Sequence, residues 1–138
     1  MKALMDDYEK ILFFRYVDSV WAKRSLEHDR EYIRTSKLKF ADVYEDWFFK
    51  LESRNGVFLN ELRKELRGAD MKIWESAKPT KKEVRYKSRC RGYEFSHCIM
   101  APILKRRVEA HLRRLAFDPE QDFKTLLHAE APWKSQPM

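Results

Sequence analysis

The residue types that could do chemistry are concentrated in one stretch, RCRGYEFSHC, which runs from Arg89 to Cys98. It holds both cysteines of the chain, one of its four histidines and two arginines. Neighbouring cysteine and histidine suggest a metal site, an arginine with a histidine suggests phosphate chemistry, and clustered arginines suggest phosphate binding. These three hypotheses place different demands on the spacing and on the surrounding charge.

The spacing argues against metal binding. Cys90, His97, Cys98 and His111 are suitable ligand types for zinc, but structural zinc sites usually pair ligands about two to four residues apart and then repeat the pair. Here the close pair is His97–Cys98, and adjacent residues rarely both reach one ion. We therefore predict no metal and no cofactor, and we interpret the two cysteines as packing thiols.

Two arginine–histidine pairs suggest RNA cleavage. Arg91 and His97 are separated by five residues, and Arg106 and His111 by four. Arginine stabilises charge on a phosphate, and histidine moves protons near neutral pH. An arginine followed by a histidine at this range, on a helix of an all-helical domain, is similar to the active-site motif of HEPN ribonucleases. That resemblance implies action on a scissile phosphate, although the polar residue that usually follows the arginine in that family is absent here.

Charge is distributed unevenly along the chain. Residues 1–80 carry 16 basic and 15 acidic side chains, whereas residues 81–114 carry 11 basic and 3 acidic ones. The formal net charge of +7 therefore comes from one segment of 34 residues. A segment dominated by one sign raises the local potential and attracts polyanions.

We therefore predict a non-enzymatic protein that binds DNA or RNA through residues 81–114 and acts as a regulator. Cations would neutralise phosphates, while aromatic rings would stack on exposed bases. The predicted contacts are Lys81, Lys82, Arg85, Lys87, Arg89, Arg91, Arg106, Arg107, Arg113 and Arg114, with Tyr86 and Tyr93 as stacking residues. We assign no catalytic residue in this leading hypothesis.

Two alternatives stay open. One is an adaptor or inhibitor that meets an acidic face of a partner protein, because aromatic residues and arginine are also typical of interface hot spots. The other is the HEPN-like ribonuclease, using Arg91 with His97 or Arg106 with His111.

The elements that must position these residues are mostly helical by pattern. Apolar residues at helical spacing predict helices over 5–33, 40–53, 57–67 and 102–116, with Gly56 and Gly68 as helix ends. A short helix is expected before Pro79, and DPEQ at 118–121 predicts another helix start, capped by Asp118. The predicted core consists of Leu12, Val17, Trp21, Val43, Trp47, Leu51, Leu62, Leu66, Leu104, Val108 and Leu112.

The segment around residues 81–99 fits two patterns. TKKE, from Thr80 to Glu83, has the form of a capping box and favours a helix from 81 to about 91. Alternation of apolar and charged residues from Val84 to His97 instead favours a hairpin. The helix is the preferred interpretation, because Arg-Gly is a weak two-residue turn.

Together these patterns predict a compact all-α bundle of four to six helices, with a small β-hairpin near 84–99 as the alternative. Residues 1–130 would form one helical domain and residues 131–138 a C-terminal tail. No apolar run is long enough for a transmembrane helix, and the N-terminus has acids where a signal peptide needs apolar residues. We expect a cytoplasmic protein with no membrane contact.

Overall fold

A computed structural model of the chain describes residues 4–118 and 120–129. Within these residues, four helices and three strands follow one another. They are α1 (Asp7–Arg34), α2 (Ala41–Gly68), β1 (Met71–Glu75), β2 (Glu83–Cys90), β3 (Tyr93–Met100), α3 (Ala101–Phe117) and α4 (Phe123–His128). The predicted tail at 131–138 lies outside the described residues.

The prediction of an all-α bundle is wrong. The chain has a three-stranded antiparallel sheet in the order β1-β2-β3 in addition to its helices, so the fold is mixed α/β. The hairpin that sequence left as an alternative is present as β2 and β3, and β1 adds a third strand beside β2. The short helix expected before Pro79 is this strand β1.

Thr80 explains why the capping-box pattern was misleading. Its hydroxyl accepts hydrogen bonds from the backbone N–H groups of Lys82 and Glu83, as the pattern requires. The chain then continues as β2 rather than as a helix. Every second side chain of that strand, from Val84 to Cys90, is buried, and this period of two is incompatible with one buried helix face.

Helix α1 begins at Asp7, two residues after the predicted start. Asp6 caps it through a carboxylate oxygen that accepts from the Glu9 backbone at 2.7 Å, and the Glu9 carboxylate accepts from the Asp6 backbone in return. This reciprocal capping box satisfies two backbone donors that a helix start leaves unpaired. The predicted helix over 5–33 is confirmed with small changes at its ends.

Helix α2 is one helix, where the sequence indicated two. It runs without a break through the predicted turn at 54–56, and Gly56 takes a helical position inside it. A glycine inside a helix costs about 1 kcal/mol relative to alanine. Burial of the neighbouring Asn55, Phe58 and Leu59 offsets that cost. The left-handed residue after α2 is Asp70, with φ of 53°, and not Gly68.

The later helices are partly as predicted. Helix α3 matches the prediction over 102–116, with Pro102 in its first turn. Helix α4 starts at Phe123 and is capped by Asp122, whose carboxylate accepts from the Thr125 backbone. Asp118, the predicted cap, instead ends α3. Among the described residues, no helix has the length and apolar character that crossing a membrane requires.

The hydrophobic core lies between α1 and the elements around it. The inner face of the sheet, with Val84, Tyr86 and Ile99, packs in one cluster with residues of α1, α2 and α3. Most predicted core residues are buried there. Trp21 and Leu112 are half-buried, whereas Val43 and Trp47 are exposed, so the core does not extend to the first turns of α2.

A buried ion pair joins α1 to α3. Asp18 is fully buried, and its carboxylate lies 2.8 Å from the Arg107 guanidinium and 3.7 Å from that of Arg15. Burial raises the pKa of Asp18, and the neighbouring arginines oppose that rise. Arg107 also donates to the Phe14 backbone carbonyl and lies over the Phe14 ring. Charges buried in this way require partners at close range.

Replacing Asp18 with alanine should destabilise the fold strongly. The change leaves the Arg107 and Arg15 charges buried without their carboxylate, which costs about 3–5 kcal/mol. The measurement is the free energy of unfolding in urea. Asp29→Ala on the same helix is the matched control, because Asp29 is exposed, and its cost should stay within about 0.5 kcal/mol. Equal losses in the two variants would contradict the structural role of the buried pair.

Candidate nucleic-acid interface

The outer face of the sheet carries cations from two of its three strands, β1 and β2. Because strand side chains alternate between faces, burial of Val84, Tyr86, Ser88 and Cys90 turns the intervening residues of β2 to the outside. The strand register places Lys72 of β1 opposite Arg89, and Trp74 of β1 opposite Lys87. We call the set Lys72, Trp74, Arg85, Lys87 and Arg89 the sheet face.

Acidic neighbours partly neutralise the sheet face. Arg85 forms an ion pair with Glu83 at 2.9 Å, and Lys87 lies 3.7 Å from Glu94 of β3. Both pairs are partly exposed to solvent, so a polyanion can compete for these cations. The sheet face has four cations against these two carboxylates, so it keeps a positive surplus.

Trp74 supplies a ring on this face. It is half-buried, and the guanidinium of Arg89 lies 5.9 Å from the centre of its ring. A guanidinium at this distance is attracted by the negative face of the indole ring. Lys81 and Lys82 are exposed in the loop before β2, next to the end of the sheet face.

Tyr86 does not belong to an accessible surface, contrary to the prediction. Its ring is 2% exposed, on the inner face of β2, and its hydroxyl accepts from the Trp21 indole at 2.8 Å. Burial, reinforced by Glu75, raises the pKa of Tyr86 to about 12. This tyrosine anchors the sheet on α1 and cannot stack on a base.

Arg91 and Arg107 also have structural partners. Arg91 makes two hydrogen bonds of 3.0 Å to the Glu9 carboxylate, which hold the pKa of that carboxyl below its ordinary value. Arg91 has a φ of 53° and Gly92 a φ of 82°, as a two-residue hairpin of the primed type requires. The bond to Glu9 offsets the strain of a left-handed arginine. Arg107 is committed to buried Asp18.

The predicted contacts Arg106, Arg113 and Arg114 lie on α3 rather than on the sheet. Arg106 and Arg113 are exposed, and Arg113 pairs with Glu109 one turn away. Arg114 is half-buried. Helix α3 packs on α1, whereas the sheet face is turned away from the helices, so the basic residues of 81–114 do not form one continuous surface. Tyr93 is exposed at the start of β3.

The arginine–histidine pairs do not converge in space. His97 lies on the inner face of β3, where it stacks on Phe13 with ring centres 3.8 Å apart, while Arg91 points to Glu9. His111 is buried and its Nε2 lies 2.9 Å from the Asn55 side-chain oxygen, while Arg106 is exposed. This geometry offers no shared phosphate site of the kind that the ribonuclease hypothesis needs.

The cysteines differ in environment. Cys90 is fully buried and packs in the core, as expected. Cys98 is exposed, contrary to its interpretation as a packing thiol, and it donates to the Glu83 carboxylate at 2.7 Å, an interaction that raises the pKa of the thiol. Over the residues that the structure describes, no group of three histidine, cysteine or acidic side chains could hold a metal ion.

Sequence reasoning missed Lys72 and Trp74. The stretch MKIWE alternates between a buried or half-buried side and the sheet face, so a period of two was present. Five residues are too few to separate a strand from a short helix by periodicity alone. The pairing of β1 with β2, which no local pattern encodes, brings these two residues to the surface.

Comparison with known proteins gives one family. A family model described as YhjD protein matches residues 5–119, so the chain belongs to that family. Neither the curated proteins nor the solved structures contain a match to this chain.

Neutral His111 should make stability depend on pH. Burial, with Arg15 and Arg114, lowers the pKa of His111 to about 3, against 6.5 in the unfolded chain. The unfolded state therefore binds a proton first, and stability falls as pH falls below about 6.5. In His111→Gln, the free energy of unfolding should fall less steeply toward pH 5, by up to about 1.4 kcal/mol per pH unit.

The control for this change is His28→Gln, because His28 is exposed. Urea unfolding of both variants in the same buffers separates the loss of a buried histidine from the loss of an exposed one. His97, whose pKa burial lowers to about 4, contributes in the same direction and stays in both variants. If the free energy of unfolding of His111→Gln depends on pH as steeply as that of the unchanged chain, His111 does not contribute to the pH dependence.

Proposed function

We propose that this member of the YhjD family binds single-stranded nucleic acid, RNA or DNA, through the sheet face. The observation that carries the proposal is the placement of Lys72, Arg85, Lys87 and Arg89 around the ring of Trp74 on one exposed surface. Cations that track a phosphate backbone beside an aromatic ring form the usual platform for unpaired bases.

Electrostatics would supply most of the affinity. Lys72 and Arg89 lie opposite each other in the β1–β2 register, and Lys81 and Lys82 add charge at the end of β2. Each phosphate that such a cation neutralises releases counterions, so binding should weaken steeply with salt. The ion pairs of Arg85 and Lys87 reduce their contribution, because Glu83 and Glu94 compete with phosphate.

Stacking would select unpaired bases over a duplex. The Trp74 ring would stack on an exposed base, whereas the bases of a double helix are already stacked on one another. The Arg89 guanidinium beside the indole would extend the stacking surface and approach a phosphate at the same time. The predicted contacts Arg106, Arg113, Arg114 and Tyr93 would serve only a longer strand that continues beyond the sheet.

In the cell, such a module fits a cytoplasmic regulator that acts by occupying exposed RNA or DNA. It needs no catalytic group, because binding alone would block or recruit other factors. The cations that could meet an acidic protein are the same, so charge alone does not separate the two kinds of partner. Base stacking does.

Trp74→Ala should weaken binding to a single-stranded oligonucleotide by roughly 5- to 150-fold, which corresponds to the loss of one stacked base. Arg89→Ala and Lys72→Ala should each lower the magnitude of the salt slope by about one. The measurement is fluorescence anisotropy of labelled RNA and DNA oligonucleotides over a series of salt concentrations.

Lys64→Ala is the matched control, because Lys64 is an exposed lysine on α2 that does not belong to the sheet face. Inorganic polyphosphate, used as a competitor, separates charge from stacking, since it carries phosphates without bases. Trp74→Ala should leave affinity for polyphosphate unchanged. Oligonucleotide binding that is absent at low salt, or that Trp74→Ala leaves intact, would contradict the proposal.

A further inference from the structure

The cations of β2 are regularly spaced on the sheet face. Arg85, Lys87 and Arg89, which we call the β2 row, occupy every second position of the strand, because the residues between them are buried beneath it. An antiparallel strand rises about 3.4 Å per residue, so neighbouring cations of the β2 row are about 7 Å apart along the strand. Successive phosphates of an extended single strand are separated by nearly the same distance. Each cation of the β2 row therefore matches one phosphate.

The β2 row has a defined end on each side. Glu83 occupies the preceding outward position of β2, and its carboxylate is the ion-pair partner of Arg85 at 2.9 Å. Beyond Arg89 comes Arg91, whose guanidinium bonds to the Glu9 carboxylate. A phosphate placed past either end would meet a carboxylate or an arginine already paired with one. The β2 row thus has room for three phosphates, over about 14 Å from the first cation to the last.

Strand β1 borders the β2 row on one side and adds a cation and a ring. Lys72 lies opposite Arg89, and Trp74 lies opposite Lys87 in the middle of the row. Adjacent strands are about 4.8 Å apart, which is less than the spacing of the β2 row, so Lys72 and Arg89 face the same stretch of a bound backbone. A base attached beside the central phosphate would lie over β1, where it can reach the Trp74 ring.

Strand β3 borders the β2 row on the other side and contributes no lysine or arginine. Its residues opposite the row are Glu94, Ser96 and Cys98. A backbone that crossed the sheet from β1 to β3 would meet at most two cations before it reached a neutral or acidic side chain. A backbone that follows β2 meets all the cations of the β2 row. The charges therefore favour a course along β2 over a course across the sheet.

We propose that the sheet face takes an extended single strand of about four nucleotides, whose backbone runs along β2 with one phosphate on each cation of the β2 row. This inference rests on the proposed function and specifies the length and the course of the ligand. A tetranucleotide without terminal phosphates contains three linking phosphates, which is the number that the β2 row can pair. RNA and DNA carry the same charge on this backbone, so the inference applies to both.

Ligand length provides the first test. Isothermal titration calorimetry at low salt, with ligands from dinucleotide to hexanucleotide, should show affinity rising steeply up to about four nucleotides and only slightly beyond. Arg85→Ala removes one end of the β2 row, so its steep rise should end at about three nucleotides. Lys64→Ala, which removes an exposed lysine outside the sheet face, should give the same length dependence as the unchanged chain. Circular dichroism checks that both variants are folded.

A neutral linkage tests the pairing of cation and phosphate. A methylphosphonate at the central linkage of a tetranucleotide removes the charge that faces Lys87, whichever way round the strand lies. This change and Lys87→Ala should each weaken binding by roughly 3- to 5-fold. Together they should cost little more than either alone, because both remove the same ion pair. A methylphosphonate at a terminal linkage is the matched control, and its cost should add to that of Lys87→Ala.

Two results would overturn the course along β2 while the proposed function stands. One is an affinity that rises as steeply from tetranucleotide to hexanucleotide as it does from dinucleotide to tetranucleotide. The other is a central methylphosphonate whose cost adds fully to that of Lys87→Ala. In both cases Trp74→Ala would still weaken binding. If no oligonucleotide binds at low salt, the proposed function fails and this inference fails with it.

Discussion

The burial of one side of β2 is the constraint on which the surface of this protein depends. Side chains in a strand alternate between its two faces, so fixing Val84, Tyr86 and Cys90 in the core also fixes Arg85, Lys87 and Arg89 on the outside. Tyr86 secures this register, because its hydroxyl bonds to the Trp21 indole of α1. A slip by one residue would bury three cations and expose the core side of the strand. The positive sheet face is therefore a direct consequence of the packing beneath it.

The same interior uses some of the charge that the sequence counts. Arg107 stabilises buried Asp18, and Arg91 holds the hairpin turn against the start of α1 through Glu9. Both arginines belong to the basic segment 81–114, yet neither is available to a polyanion without breaking a structural contact. A charge excess in sequence thus overstates the number of cations that a ligand can reach. The cations that a ligand can reach lie on the sheet face and, separately, on α3.

The sequence predicts the helices of this fold better than its sheet, for physical reasons. Helix α1 is indicated by local periodicity and by acidic residues near its start, and α3 by Pro102 and a regular apolar stripe. The patterns at Thr80 and Gly56 gave wrong predictions, because a local feature does not by itself determine whether a helix begins or ends there. The Thr80 hydroxyl makes the capping bonds and a strand follows, while α2 passes through Gly56 because burial on either side outweighs its cost.

The candidate site was predictable in part. Cations of β2 could be identified from the charge excess, but Trp74 could not, since its role comes from pairing between strands that are distant in sequence. Tyr86 was assigned to the surface because the sequence favoured a helix for this segment. In a helix it would have lain among the basic residues, and only the alternation of the strand places it inside.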